Sequence, residues 1–153
     1  MIRKRRAKKK DLPMLIEYKL LTILPYIKDN QEKLKAISYV NDFITKNYLE
    51  FKVLYSLFKP IGVYLILNKE LDTLYITKKN QNKGIGSKIL KKELTNIDKI
   101  KVQKENKQAI KFYQKNGFTK KEIHEKYIIL RKGWYNENEW FFKTNSQWYK
   151  KNK

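Results

Sequence analysis

A chain of 153 residues with 41% hydrophobic and 14% aromatic side chains suits one domain with its own core, and excludes a disordered polyelectrolyte. The lack of cysteine excludes a disulfide framework and thiolate metal sites, and a single histidine, His124, leaves a zinc centre or a Ser/His/Asp triad short of ligands or bases, so no metal is expected. The formal net charge of +21 has two readings: an anionic partner such as nucleic acid or the ribosome, or compositional drift in a chain rich in scattered Lys, Asn, Ile and Tyr.

Taken in chain order, Ile2 to Ala7 alternates aliphatic and basic residues and predicts a first strand. Asp11-Leu12-Pro13 supplies an N-cap with proline in the first helical turn, and apolar residues follow at helical spacing from Leu12 to Leu24, where Pro25 closes the helix. That run is broken by Pro13, Glu17 and Lys19 and is too short to span a bilayer, and no apolar signal segment follows the basic N-terminus. The expectation is a cytoplasmic protein without a membrane partner, monomeric or homodimeric. A second helix is predicted for residues 31–46, with Leu34, Ile37, Val40, Phe43 and Ile44 on one face. Phe51 to Phe58, Ile61 to Leu67 and Leu71 to Thr77 then read as three antiparallel strands, the first two separated by Lys59-Pro60.

A polar loop, Lys78 to Lys83, leads into Gly84-Ile85-Gly86 and a predicted helix reaching about Asn96. Lys99 to Gln103 predicts a short strand, and Asn106 to Lys115 a compact helix closed by Asn116-Gly117. Phe118 to Leu130 and Glu139 to Lys143 are strand-like. The order is mixed α/β.

Glycines between a strand and a helix let the main chain turn tightly, and the helix start offers free N–H groups to a phosphate. A P-loop does not fit, because no glycine lies five positions before Gly84 or Gly86. A dinucleotide fingerprint fails as well, because Ile89 stands where a third glycine or alanine is needed. Alone, the loop is equally a tight turn. Further along, however, the chain reads Asn106-Lys107-Gln108-Ala109-Ile110-Lys111-Phe112-Tyr113-Gln114-Lys115-Asn116-Gly117-Phe118.

With these two segments the sequence resembles the GNAT acetyltransferases. Gln81, Gly84 and Gly86 match the family's acetyl-CoA loop, and Asn106, Ala109, Phe112, Tyr113, Gly117 and Phe118 match its later motif. Lys59 to Gly62 and Glu70 to Ile76 look like its third and fourth strands. The resemblance implies the GNAT acyltransferase fold: a central, mostly antiparallel sheet of about six or seven strands, a splay between the fourth and fifth, and about four helices on both faces. It divides the chain into a GNAT domain over 1–131 and a C-terminal strand and tail over 132–153.

The implied cosubstrate is acetyl-CoA, and the implied activity is transfer of its acetyl group to a primary amine of an unidentified small molecule, peptide or protein. By resemblance, the main chain at Leu74, Tyr75 and Ile76 holds the pantetheine arm. The amides of Gln81, Asn82, Lys83, Gly84, Ile85, Gly86 and Ser87 wrap the pyrophosphate, with Lys83 or Lys88 adding charge, and Asn106 bonds the cofactor arm. Tyr113 is the expected general acid at the departing sulfur. Glu70 is the expected base, with Asp72 or a water relay as alternatives, while His124 reads as structural. Tyr26 and Lys28 are candidate acceptor contacts. The aromatics of the tail, such as Trp140 and Trp148, read as a docked end or a substrate platform. The alternative to amine acetylation is a GNAT-fold protein, even a non-catalytic one, that meets an RNA- or ribosome-associated partner through its basic surface.

Overall fold

Apolar side chains of the second and third strands divide between two faces. Phe51, Val53, Val63 and Leu65 share one core with Leu15, Val40 and Ile44, while Leu54, Ile61 and Tyr64 share another with Ile85, Ile89, Leu90 and Ile110. A sheet apolar on both faces has to be covered on both. The structure, a computed structural model, describes residues 1–133, 135–136, 139–144 and 147–151, the last three stretches as main chain only.

The elements are β1 (Arg3–Arg6), α1 (Leu12–Leu21), α2 (Asn30–Asn47), β2 (Phe51–Ser56), β3 (Lys59–Leu67), β4 (Glu70–Ile76), α3 (Ile85–Lys92), β5 (Lys99–Gln103), α4 (Lys107–Lys115), β6 (Lys120–Ile123) and β7 (Tyr127–Arg131). They build a seven-stranded sheet of order β1-β2-β3-β4-β5-β7-β6, with α1 and α2 over one core and α3 and α4 over the other. Every pairing is antiparallel except β4 with β5. Asp11 ties β1 to the start of α1, accepting two hydrogen bonds from the Arg5 guanidinium (2.7 and 2.9 Å) and one from the Lys8 amide (2.7 Å).

Three local expectations are corrected. The turn between β2 and β3 falls on Leu57 and Phe58, both at positive φ (48° and 70°), and not on Lys59-Pro60. Pro60 fits inside β3 because it sits at an irregularity where Leu54 faces Gly62 and Tyr55 faces Pro60. The stretch from Phe118 to Leu130 is a hairpin rather than one strand, turning at His124, whose amide donates to Tyr127 O (2.9 Å) and whose ring stacks on Tyr127 (4.5 Å). The helix expected to reach Asn96 ends at Lys92 and gives way to a 3-10 turn over Leu94–Asn96, pinned by Asn96 Nδ2 donating to Glu93 (2.9 Å).

At the C-terminus, β8 (Tyr135–Asn136), β9 (Glu139–Thr144) and β10 (Gln147–Lys151) form a separate three-stranded antiparallel sheet. The tail's aromatic side chains lie outside the described residues. Among the described residues, no helix is long and apolar enough to cross a membrane.

Candidate active site

The only parallel pairing in the sheet is also its shortest. β4 and β5 meet through two residue pairs, Glu70 with Lys99 and Leu71 with Ile100, and then part. From Asp72 onward the outer edge of β4 has no strand beside it, and a cleft of about 840 Å³ opens between Asp72–Ile76 on one side and Lys101–Gln103 on the other. The expected splay is present.

One end of the cleft is the loop that follows β4. A 3-10 turn over Lys78–Asn80 ends at Gln81, whose Nε2 donates to Ile76 O (2.9 Å) and ties the loop to the strand it leaves. Asn82 and Gly84 both take left-handed backbone (φ 61° and 77°), and α3 starts directly after Gly84. A left-handed residue leading into a helix gathers main-chain N–H groups that have no helical partner, the arrangement that receives anions. The two glycines have different duties. Gly84 is required by its positive φ, with open space around it, whereas a Cβ at Gly86 would stand 2.8 Å from Phe112 Cζ. Gly86 therefore lets α3 close onto α4.

The opposite wall is α4. Asn106 caps it, its Oδ1 accepting from the Ala109 amide (3.1 Å), and Ala109, Phe112 and Tyr113 then face the cleft together with Lys111 and Lys115. The Tyr113 ring is buried (7% exposed). Its hydroxyl has no hydrogen-bond partner among the described residues, yet is not sealed from solvent. Burial, and secondarily the negative charge of Asp72, push its pKa well above the ordinary phenol value, so it remains a proton-bearing donor at neutral pH.

Beyond Tyr113 the far end is bounded by α1, Tyr26 and Tyr39. Here Lys19, 6% exposed, donates to Asp72 Oδ1 (2.6 Å), Thr73 Oγ1 (2.8 Å) and Asp72 O (3.3 Å), with its ammonium 5.6 Å from the Phe43 ring centroid. Thr73 Oγ1 also donates to Asp72 Oδ1 (2.7 Å).

The structure brings Leu74, Tyr75, Ile76, Asn106, Tyr113, Tyr26 and the 81–87 loop to one cleft, apart from Lys83, which is exposed outside it. Glu70 does not reach it, because it sits where β4 is still paired with β5, two residues before the strands separate. Lys28, Lys88 and His124 also stand elsewhere; His124 Nε2 contacts Glu122 (2.8 Å) at the β6–β7 hairpin. Sequence reasoning missed Lys19, Tyr39, Lys101, Lys111 and Lys115. The signal for Lys111 and Lys115 is their i, i+4 spacing on the helix that carries Phe112. For Lys19 it is a cation on the face otherwise occupied by Leu12, Leu15 and Ile16. Among the described residues, no group of His, Asp or Glu could hold a metal ion.

Residues 51–120 match the family model described as the acetyltransferase (GNAT) domain, a segment that runs from β2 through α4. Solved structures agree in fold. YjaB from Escherichia coli, in its apo form, superimposes with a TM-score of 0.68 at 20% identity, covering 85% of this chain and 95% of that one. The PaiA N-acetyltransferase from Thermoplasma acidophilum, solved with coenzyme A, gives 0.61 at 24% identity over 86% and 99%. Ard1 from Thermoplasma volcanium gives 0.57 at 15% identity over 86% and 97%. No curated protein matches the chain significantly in sequence. Over residues 51–120 the chain thus matches the GNAT acetyltransferase domain, and its fold is the one these solved structures share.

Proposed function

We propose that the chain is an acetyl-CoA-dependent N-acetyltransferase acting on a primary amine. The observation that carries this reading is one continuous cleft joining three parts: the unpaired edge of β4, the left-handed loop at the start of α3, and the Tyr113 hydroxyl. Acetyl-CoA would supply an activated thioester. Four lysines against one carboxylate line this cleft among the described residues, a balance suited to a polyanionic cosubstrate.

In this reading the main chain of Leu74, Tyr75 and Ile76 offers strand-like hydrogen bonds to the amides of the pantetheine arm, standing in for the missing neighbour strand. The amides from Gln81 to Ser87 take the pyrophosphate, with Lys111 and Lys115 on the facing helix in place of Lys83 and Lys88. Tyr113 donates to the sulfur as the carbon–sulfur bond breaks. The acceptor enters from the end bounded by α1, Tyr26 and Tyr39, and its nitrogen attacks the thioester carbonyl. Asp72 is committed to Lys19 and Thr73. The proton lost by the attacking amine therefore passes to water in the open cleft.

Thermal unfolding with and without acetyl-CoA tests the reading, with heparin as a polyanion control. At about one hundred times its dissociation constant, acetyl-CoA should stabilise the fold by roughly 2.7 kcal/mol. Gly84→Glu, which places a bulky anion on a left-handed residue in the proposed pyrophosphate loop, should abolish that shift. A shift that heparin reproduces and Gly84→Glu leaves intact would sink the cofactor site.

A further inference from the structure

The acceptor end of the cleft has a charge arrangement that acetyl transfer does not require. Asp72 is the one carboxylate lining the cleft among the described residues, and it is neutralised from within the fold. Lys19 reaches it from α1 at 2.6 Å, and the two side chains are only 8% and 14% exposed. Glu17 and Glu70 are near enough to act electrostatically on Tyr75 and Tyr39, whose pKa values burial already raises, but neither carboxylate lines the cleft. The remaining charged groups on its walls are Lys101, Lys111 and Lys115, all cations on β5 and α4. Around Lys19 and Asp72 the surface is apolar or phenolic, from Leu21, Ile23, Tyr26 and Tyr39, apart from Thr22, whose hydroxyl donates to Lys19 O (2.6 Å).

We infer that Lys19, by holding Asp72 in a buried ion pair, fits this site to a monoamine with an apolar body and excludes acceptors that carry a second ammonium group. This rests on the acetyl-transfer reading and names its substrate class. A second ammonium entering beyond Tyr113 loses hydration and finds no free carboxylate to pair with. An alkyl or aryl body instead meets the apolar side chains and the faces of Tyr26 and Tyr39. Removing the Lys19 charge while keeping a donor to Asp72 frees a carboxylate in the place where a diamine's distal ammonium would lie.

The test compares hexylamine, 6-amino-1-hexanol and 1,6-diaminohexane, which share a six-carbon chain, by release of CoA thiol. Acetyl-CoA-induced thermal stabilisation is measured on the same samples. The wild-type chain should favour hexylamine over the diamine by about tenfold or more in kcat/KM, with the amino alcohol between them. Lys19→Gln should narrow the hexylamine-to-diamine ratio severalfold, and Lys19→Arg, which keeps the cation, should preserve it.

A diamine used as well as hexylamine overturns the inference. So does equal rejection of the amino alcohol and the diamine, which would make polarity rather than charge the criterion; this comparison needs no variant to fold. A Lys19→Gln protein that folds and keeps the wild-type ratio also overturns it. Stabilisation by acetyl-CoA without turnover of any of the three amines removes the acceptor class and leaves the cofactor site standing. No stabilisation by acetyl-CoA removes the acetyl-transfer reading itself.

Discussion

Tyr113→Phe deletes one oxygen at the point where acetyl transfer would need a proton. Phenol and thiol reference pKa values of about 10 and 8.5 make complete proton transfer from tyrosine to a thiolate uphill by about 2 kcal/mol. Burial and Asp72 push Tyr113 further up, so the uphill step grows. The group then acts chiefly as a fixed hydrogen-bond donor that strengthens as negative charge gathers on sulfur. A hydrogen bond to a charged group contributes about 1.5–3 kcal/mol, so its loss should lower kcat by about 10- to 150-fold. Since the Tyr113 hydroxyl has no partner among the described residues, the substitution breaks no hydrogen bond of the fold. Stability should change by no more than about 0.5 kcal/mol. The assay is CoA release at saturating acceptor over a range of acetyl-CoA, beside urea unfolding of both proteins. A kcat within twofold of wild type would refute the argument. So would a fall in kcat matched by a stability loss above about 2 kcal/mol, which would make Tyr113 a packing residue.

Three further outcomes follow from the same geometry. Gly86→Ala sets a methyl 2.8 Å from Phe112 Cζ. Overpacking of this kind costs about 1–3 kcal/mol, so urea unfolding should shift accordingly and KM for acetyl-CoA should rise; an unchanged midpoint would mean that the ring swings aside. On the alkaline side, the raised Tyr113 pKa keeps its proton bound in the folded state while the unfolded state releases it. Stability should therefore fall as pH climbs above about 10, by up to about 1.4 kcal/mol per pH unit, and Tyr113→Phe should flatten that fall in pH-dependent denaturation. On the acid side, the hydrogen bonds from Arg5, and secondarily from the Lys8 amide, hold the Asp11 carboxyl below its usual range against the opposing cost of burial. Its contribution is present above pH about 3.8 and is lost as pH falls through the depressed value, so Asp11→Asn should weaken the fold at neutral pH by about 1–3 kcal/mol and lessen its acid sensitivity.

Much of the loop and helix that wall one end of the cleft could be read from the chain because their signals are local. Gly84 and Gly86 mark a turn into a helix, and Asn106 followed by Ala109, Phe112 and Tyr113 describes one capped amphipathic helix. Even there, a side chain can hold two roles: Asn106, read as a ligand contact, caps its own helix. What escaped the sequence depends on contacts between distant elements. Lys19 and Asp72 are separated by 53 residues and meet only once α1 lies across β4. Glu70 and Asp72 share one face of a strand in the alternation pattern, and nothing local marks Leu71 as the last residue before the strands part. Pro60 looked like a breaker because a proline costs a ladder hydrogen bond, and the irregularity that accommodates it is a property of the β2–β3 register.

Opening a sheet at its centre gives it four borders where an unbroken sheet has two. From Asp72 to Ile76, β4 shows its outer border to the cleft, within a ribbon whose other side pairs with β3 from Thr73 to Ile76, Asp72 standing at the irregularity in that register. Such a border is a template for any extended polyamide of suitable width, including a segment of another partly unfolded chain. Lysines on the cleft walls and a formal net charge of +21 would oppose the approach of a second copy to that border. A ligand lying along that border would close this route to edge-to-edge pairing.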